Sequence, residues 1–507
     1  MGGRRKRSLI NTTVALLSEF LVIFVGMFFP RVLISCYGSV TNGLISSLQQ
    51  FAQYFTLISM GFSGAIIFAL YSPLAREDKD EVEHIVASAG RAFSKMGFWY
   101  TVVLVGFGVV YPLLAADTSY SYFEVLLMFI AIGLNGASQL FYSGKYKALL
   151  TASQKSGTVT LINAVFTAGF SGLLIAFALT GMPAVLAVVL ASLAYIARAV
   201  AYGITAKYYF GGYDFRLKGE PYRFSQQREV MLQQIFTLIV LNVPVIAMTV
   251  MGTDMAEISV FSVYNLVLSA VFTVSGAVNT GVSASFGDLI TRNEQEKLRH
   301  VYREYEMLFH MFLTVMAGCM LALFEPFIAI YSSGVTDADY SRPLLCILFA
   351  VLGGLWMIRT QLSTIIVAAG KFKEIQCHSV IETVLSVILS FAGLILFGLE
   401  GMIAGRIIVT AFRVVSFAHF NCKYIVGGEH LYTWLHIGAS CAVVGASYIG
   451  VRFLFRLWMP QNLIEWGLAA VALAVVLGIV AVAVELVINK SMMKAFLGRF
   501  TGKLKRR

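Results

Sequence analysis

The sequence predicts an all-α, membrane-spanning protein with fourteen transmembrane helices, and three observations predict it. Asp, Glu, Lys and Arg make up 13% of the 507 residues while hydrophobic residues make up 58%, about half the charge that the composition of a soluble domain carries. Apolar runs of roughly 20 residues recur from one end to the other, each long enough to cross a hydrocarbon core of about 30 Å as a helix. Lys and Arg collect in alternate connecting segments, as they do when one side of a membrane retains them.

The spans are expected near 9–30, 43–70, 91–116, 121–143, 157–179, 183–206, 229–251, 257–285, 304–331, 342–368, 377–398, 400–422, 431–455 and 463–488. With the amino terminus on the cytoplasmic side, thirty of the 38 Lys and Arg fall in inner segments, four in outer segments and four inside spans. A missed or invented span would have placed basic loops on both sides. Both termini are therefore expected to be cytoplasmic. The basic start MGGRRKRS leads into an apolar run with no small-residue cleavage site after it, which reads as a retained first span. Position 6 is Lys6 where a myristoylation signal needs Ser or Thr.

The net charge of +11 belongs to these inner loops and the tail, so no nucleic-acid partner is expected. Six scattered Cys without a C-x-x-C pair read as packing thiols. The His residues form no ligand-spaced cluster, and no metal or other cofactor is expected. Outer loops such as ADTSYS, TGMP and GLEG are too short to fold into a catalytic domain. The longest loop, 207–228, is cytoplasmic, basic and aromatic, and falls where a linker between halves would.

Two charge runs, LAREDKDEVEHIV at 74–86 and RNEQEKLRHVY at 292–302, expose a repeat. A shift of 216 residues sets Arg76 on Arg292, His84 on His300 and Phe93 on Phe309. Val82, Ile85, Val86, Ala89 and Phe93 form a stripe at helical spacing, matched by Leu298, Val301, Tyr302, Tyr305 and Phe309. Each run reads as an amphipathic helix along the inner interface leading into the next span. The same shift pairs a polar stripe, Ser46, Gln49, Gln53, Leu57 and Gly64, with Ser262, Asn265, Ser269, Thr273 and Thr280. Such faces avoid lipid, so they either line an aqueous cavity or bond to neighbouring helices. Six spans per repeat makes the halves parallel, a transporter architecture. The expected division is an N-terminal lobe 1–206, a linker 207–228, a C-terminal lobe 229–424, and two further helices with a basic tail, 425–507.

The segment RVLISCYGSVTNGLISSLQQFAQYFTLISMGFSGAIIFALYSPLAREDKDEVEHIVASAGRAF, residues 31–93, resembles the start of Wzx-type polysaccharide flippases of the multidrug/oligosaccharidyl-lipid/polysaccharide (MOP) exporter superfamily. The likeness lies in a first span ending in Arg, YG-x-x-x-NGL, a Gln- and Ser-bearing second span, a Gly-rich exit and Y-x-PLA before a charged helix. The resemblance implies two six-helix lobes around a cavity and a cargo of oligosaccharide joined through pyrophosphate to a polyprenyl lipid. It implies no enzyme activity, coupling to protons, sodium or membrane potential, and polysaccharide polymerase machinery as a partner. On that footing Arg406, Arg359 and Arg31 are candidates for the pyrophosphate. Ser46, Gln49, Gln53, Asn265, Ser269 and Thr273 are candidates for cavity lining and sugar contact.

Glu19, roughly 15 Å into span 1 by helical rise, is the candidate coupling-ion site or else an ion-pair partner. Arg359 either meets pyrophosphate or pairs with Glu382. Arg198 and Arg413 read as snorkelling cations. Pro30 and Pro244, near the outer ends of spans 1 and 7, either kink or terminate their helices. The alternatives are an ion-coupled multidrug antiporter of the same superfamily and a flippase of a lipid-linked peptidoglycan precursor. From a different class comes a membrane polysaccharide polymerase or glycosyltransferase. The antiporter would want deep carboxylates, where this chain offers chiefly Glu19.

Overall fold

The computed structural model describes residues 2–504 apart from 57–61, 116–118, 216–221, 223–227, 293, 428–429 and 456–458. Side chains at 2–13, 15, 16, 19, 228–231, 280, 281, 284, 291, 430, 497 and 499–504 also lie outside the description. The described residues are helical throughout, with no strand. In order they form α1 (Gly2–Tyr37), α2 (Ser39–Phe55), α3 (Phe62–Arg76), α4 (Lys79–Leu114), α5 (Tyr122–Ser138) and α6 (Gly144–Ala152). There follow α7 (Ser156–Leu179), α8 (Ala184–Tyr209), α9 (Arg228–Val250), α10 (Met255–Thr291) and α11 (Gln295–Tyr331). The chain ends with α12 (Pro343–Ala368), α13 (Gln376–Phe420), α14 (His430–Phe455), α15 (Leu463–Ile488) and α16 (Lys490–Leu504).

Twelve of these elements are long and apolar enough to cross a membrane. This is a multi-pass membrane protein. The α13 helix is two arms joined at Gly398, whose φ of 65° breaks the helical run, so it supplies two of the expected spans. The expected span 43–70 corresponds to α2 and α3 on either side of 57–61. With these the expected fourteen are accounted for.

Local chemistry sets the ends. Gly38, at φ 84°, separates α1 from α2, and the first N–H and hydroxyl of Ser39 both donate to the Asp337 carboxylate at 2.7 Å. Asp78 caps α4 by accepting from the Glu81 N–H at 3.0 Å, with Asp80 and Glu81 in the first turn favouring the positive end of the helix dipole. Asn462 opens α15 in the same way, accepting from the Glu465 N–H at 2.9 Å, whereas at α5 the Glu124 carboxylate accepts from the Ser121 N–H and hydroxyl, each at 2.8 Å. Pro30 and Pro244 terminate nothing: each lies inside its helix, α1 and α9, where the lost N–H favours a bend.

The repeat is visible in the element bounds. Met255 of α10 follows Ser39 of α2 by the shift found in the sequence, and Gln295 of α11 follows Lys79 of α4 likewise. Each charge run is continuous with its span, in helices of 36 and 37 residues. The charge run at 74–86 is more than the polar face of an interfacial helix. Glu83 and Ser88 are buried because the long loop lies on them: Asp214 N–H donates to Glu83 Oε1 at 2.9 Å and Tyr222 N–H to Ser88 Oγ at 3.2 Å. Lys79 adds an ion pair to Glu83 at 3.6 Å and sits over the Tyr213 ring.

By packing the chain forms two compact units, Met1–Val263 with Val335–Ala338, and Tyr264–Gly334 with Asp339–Arg507. In the first, α1 packs on α7 and α5 on α8. An aromatic core of Phe51, Phe55, Phe107, Tyr111 and Phe129 joins α2, α4 and α5. Tyr111 donates to Ser47 Oγ at 2.8 Å, and Ser47 shares a proton with Thr249 of α9 at 2.8 Å. In lipid such packing and bonding, rather than exclusion of water, holds helices together; each aromatic pair adds about 0.5–1.5 kcal/mol. In the second unit α11 is wrapped by α12, α14 and α15. Gly318 admits Leu477 so closely that a Cβ there would stand 2.6 Å from it, and Trp466 Nε1 donates to the Leu323 carbonyl at 3.0 Å.

The thiols only partly follow expectation. Cys346 and Cys422 are buried, while Cys36, Cys377 and Cys441 lie on the surface, where an apolar thiol suits a helix that faces lipid.

Candidate functional site

Inside the first unit lies a cavity of about 680 Å³ bounded by α1, α2, α5, α6, α7 and α8. An apolar bundle has no reason to leave such a space unless polar groups hold it. Here Gln49 and Gln53 of α2, Asn135 of α5 and Asn163 of α7 present amides to it. Thr160, Thr167 and Ser171 add a hydroxyl ladder down α7 at helical spacing. A π-helical turn, Gln139–Ser143, follows α5; its wider turn places Gln139 on the lining and sets α6 so that Lys147 faces in. Such bulges recur at functional sites.

Arg198 of α8 completes the wall. It is 7% exposed, donates from Nη2 to Asn135 Oδ1 at 2.5 Å and lies 5.4 Å from the Tyr195 ring, which is itself stacked on Phe170 at 4.9 Å. The snorkelling read from sequence is therefore wrong: the guanidinium turns inward because an amide and an aromatic face hold it there. Among the described residues the lining contains two cations and no carboxylate, so these residues make the cavity electropositive and rich in neutral hydrogen-bonding groups.

The arginines of the second unit behave differently. Arg359 lays its Nε and Nη2 on Glu382 Oε1, each at 2.9 Å, and Arg413 approaches Glu382 Oε2 at 3.1 Å while donating to Ser379 at 2.5 Å. Arg359 also lies 4.4 Å from the Trp356 ring, and Arg413 lies 4.1 Å from that of Phe417. Arg413, fully buried, does not snorkel either. Arg406 is buried without an ion pair among the described residues, and its Nη1 has no hydrogen-bond partner. Ser386 and Ser390, on the opposing arm of α13, have buried hydroxyls in the same condition. Gly393, Gly401 and Gly405 let those arms touch backbone to backbone.

No family model matches the sequence and no curated protein matches it. Solved structures do. Lipid II flippase MurJ in an inward closed conformation superposes with a TM-score of 0.64 at 12% identity, covering 94% of this chain and 99% of that one. An inward-facing multidrug resistance MATE family transporter of the MOP superfamily gives 0.60 at 14%, covering 85% and 99%. The MATE multidrug transporter DinF-BH gives 0.55 at 14%, covering 84% and 97%.

The chain has the fold of these structures.

On that fold the residues singled out in the sequence separate. Gln49 and Gln53 line the cavity, whereas Ser46 is half-buried on α2 outside it. Asn265, Ser269 and Thr273 belong to the second unit. Asn265 Nδ2 donates to Ser269 Oγ at 3.5 Å, and Thr273 Oγ1 to the Ser269 carbonyl at 3.0 Å, so this stripe bonds along its own helix. Arg31 is half-buried near the end of α1. The Glu19 side chain lies outside the described residues. Asn135, Gln139, Lys147, Asn163 and Arg198 were missed as a group. Asn135 with Gln139, and Asn163 with Thr160 and Thr167, stand at helical spacing as Gln49 and Gln53 do and so carried a signal; Arg198 carried its depth within a span, and Lys147, placed between spans, carried none.

Proposed function

We propose that the protein is a transporter that flips a polyprenyl-pyrophosphate-linked oligosaccharide across the bacterial cytoplasmic membrane by alternating access, for assembly of a cell-surface polysaccharide. It is not an enzyme in this reading. The observation that carries the proposal is the cavity in the first unit: amides and hydroxyls suited to sugar hydroxyls, two cations suited to pyrophosphate and, among the described residues, no carboxylate. Its volume is in the range of ligand sites. Cargo recognition falls to Gln49, Gln53, Asn163, Arg198 and Lys147, with Arg406 and Arg31 as further pyrophosphate contacts. Arg359 drops to a supporting role, since its fork is occupied by Glu382.

The likeness to Lipid II flippase MurJ supports a lipid-linked cargo, and the likeness to multidrug transporters supports the rival. A cationic drug would meet repulsion from Arg198 and Lys147, which favours the flippase. Proposed with it are cytoplasmic termini, halves 1–206 and 229–424 joined by 207–228, and work alongside a polysaccharide polymerase.

The test is reconstitution into vesicles with a fluorescent lipid-linked oligosaccharide on one leaflet. Movement to the other leaflet, reduced in Gln53→Ala and abolished in Lys147→Glu, is expected. Failure to move it, together with efflux of a cationic dye, would overturn the proposal in favour of the antiporter. Movement of a lipid-linked peptidoglycan precursor alone would overturn the cargo.

A further inference from the structure

Four titratable side chains meet where α14 and α15 pack on α11, outside the lining of the first unit's cavity. Glu306 and His310 stand one turn apart on α11, His436 on α14 and Glu485 on α15. All four are buried, none more than 4% exposed. His436 Nδ1 lies 2.8 Å from the Tyr432 carbonyl. A carbonyl only accepts, so Nδ1 carries a proton and Nε2 is the nitrogen left to titrate.

That Nε2 is 3.4 Å from Glu485 Oε2 and 2.8 Å from Asn489 Nδ2. Asn489 Nδ2 is also 2.8 Å from Glu485 Oε2. With the ring neutral, one amide N–H donates to Nε2 and the other to the carboxylate; a proton on Nε2 requires the amide to turn away. When the ring gains a proton, Nε2–H turns to Glu485. Glu306 accepts from Thr433 Oγ1 at 2.6 Å. His310 bonds Ser440 through Nδ1 at 3.1 Å, but its buried Nε2 has no partner, and its ring lies 5.6 Å from that of His436.

Among the described residues, the other charged or titratable groups facing the cluster do not neutralise it. From α11 they are Tyr302, Arg303 and Tyr305, from α14 Tyr432, and from the π-helical turn after α13 Cys422. Arg303 is half-buried with its guanidinium over the Tyr432 ring at 5.1 Å, and it makes no ion pair with either carboxylate. Two buried carboxylates without an ion-paired Lys or Arg cost several kcal/mol unless protons accompany them.

We propose that Glu306, His310, His436 and Glu485 form a proton-binding site whose loading holds α14 and α15 against α11. Packed, the helices keep the proton between Nε2 and the carboxylate. Parted, they admit water, Nε2 returns the proton to solvent, and the carboxylates are hydrated. A proton bound only in the packed state makes parting more favourable as pH rises, by up to about tenfold per pH unit for each proton released. The site is independent of the cargo, since none of its residues lines the cavity of the first unit.

Hydrogen exchange of the purified full-length protein in nanodiscs tests this without transport. Between about pH 6 and about pH 8, after correction for intrinsic exchange, protection of α14 around His436 should fall by up to tenfold per unit, while α7 stays level. Glu485→Gln and His436→Gln should each flatten the profile. Gly318→Ala, which crowds Leu477, should lower α14 and α15 protection equally at every pH. A level wild-type profile, or a slope retained in both variants, would overturn the site. Recovery of protection by sodium at high pH would overturn the proton as its ligand. Should Glu485→Gln fail to fold, His310→Gln replaces it, with a shifted or flattened slope expected and an unchanged one counting against the cluster.

Discussion

Glu382 neutralises two buried arginines at once, and the cost of removing it follows from the geometry. Glu382→Gln keeps the shape but leaves Arg359 and Arg413, 6% and 0% exposed, without a counter-charge. Breaking a buried pair from one side costs about 3–5 kcal/mol, which lowers a melting temperature by roughly 5–15 °C. Arg413→Met acts in the opposite sense. It removes the surplus cation and leaves the two-point bond between Arg359 and Glu382 at 2.9 Å intact. The Ser379 bond, the 3.1 Å approach to Glu382 Oε2 and the Phe417 contact are lost, at about 1–3 kcal/mol together. The double variant should be more stable than Glu382→Gln alone, because one unpaired cation replaces two. Thermal unfolding in detergent, followed by intrinsic fluorescence and by loss of the monodisperse chromatographic peak, gives all three values. The reasoning fails if Arg413→Met melts as low as Glu382→Gln, or if the double variant melts lower than either.

Further predictions follow from close contacts. Gly43→Ala would drive a Cβ to 1.7 Å from the Met255 carbonyl oxygen, a backbone atom that cannot yield. It should destabilise by at least about 2 kcal/mol, and a wild-type melting curve would contradict this. Glu83→Ala removes the acceptor of the Asp214 N–H. A loss of about 1–2 kcal/mol should raise the rate of limited proteolysis within 207–228 by roughly five- to thirtyfold; an unchanged cleavage rate would mean that the loop is held by other contacts.

Much of the architecture was legible because it rests on properties of single segments. Run length fixes a span, and the charge runs mark the repeat, so the 216-residue shift reappears in the bounds of α2, α4, α10 and α11. Gln49 and Gln53 were legible because two amides one turn apart make a face. Arg198 was not, since a lone cation in an apolar helix fits a lipid headgroup as well as a cavity. What decides is Asn135, 63 residues earlier, and nothing in either helix announces the pairing. The same holds for His436 and Glu485, on different helices, which no periodicity joins. The charge run at 74–86 was read too simply for a related reason: the loop that buries Glu83 comes 131 residues later.

The repeat also sets two arginines in comparable places. Arg198 in α8 and Arg413 in the second arm of α13 each lie about four turns into their helix, yet their partners differ in charge. Arg413 faces a carboxylate and is spent on structure; Arg198 faces the Asn135 amide and keeps its charge for the cavity. Asn135→Asp would give the first unit the arrangement of the second. The replacement is nearly isosteric and accepts the same bond, so folding should be retained or strengthened. The cavity would fall from two cations towards one. At a separation of about 6 Å and an effective dielectric of about 20, one unit charge is worth about 3 kcal/mol, and hydration of the cavity reduces this. Translocation of a pyrophosphate-linked cargo should therefore drop by about tenfold or more, with Arg198→Gln, which removes the same charge, dropping alike. A stable Asn135→Asp protein that flips lipid-linked oligosaccharide at the wild-type rate would show that Arg198 does not serve the cargo, and the electropositive cavity would lose its assigned role.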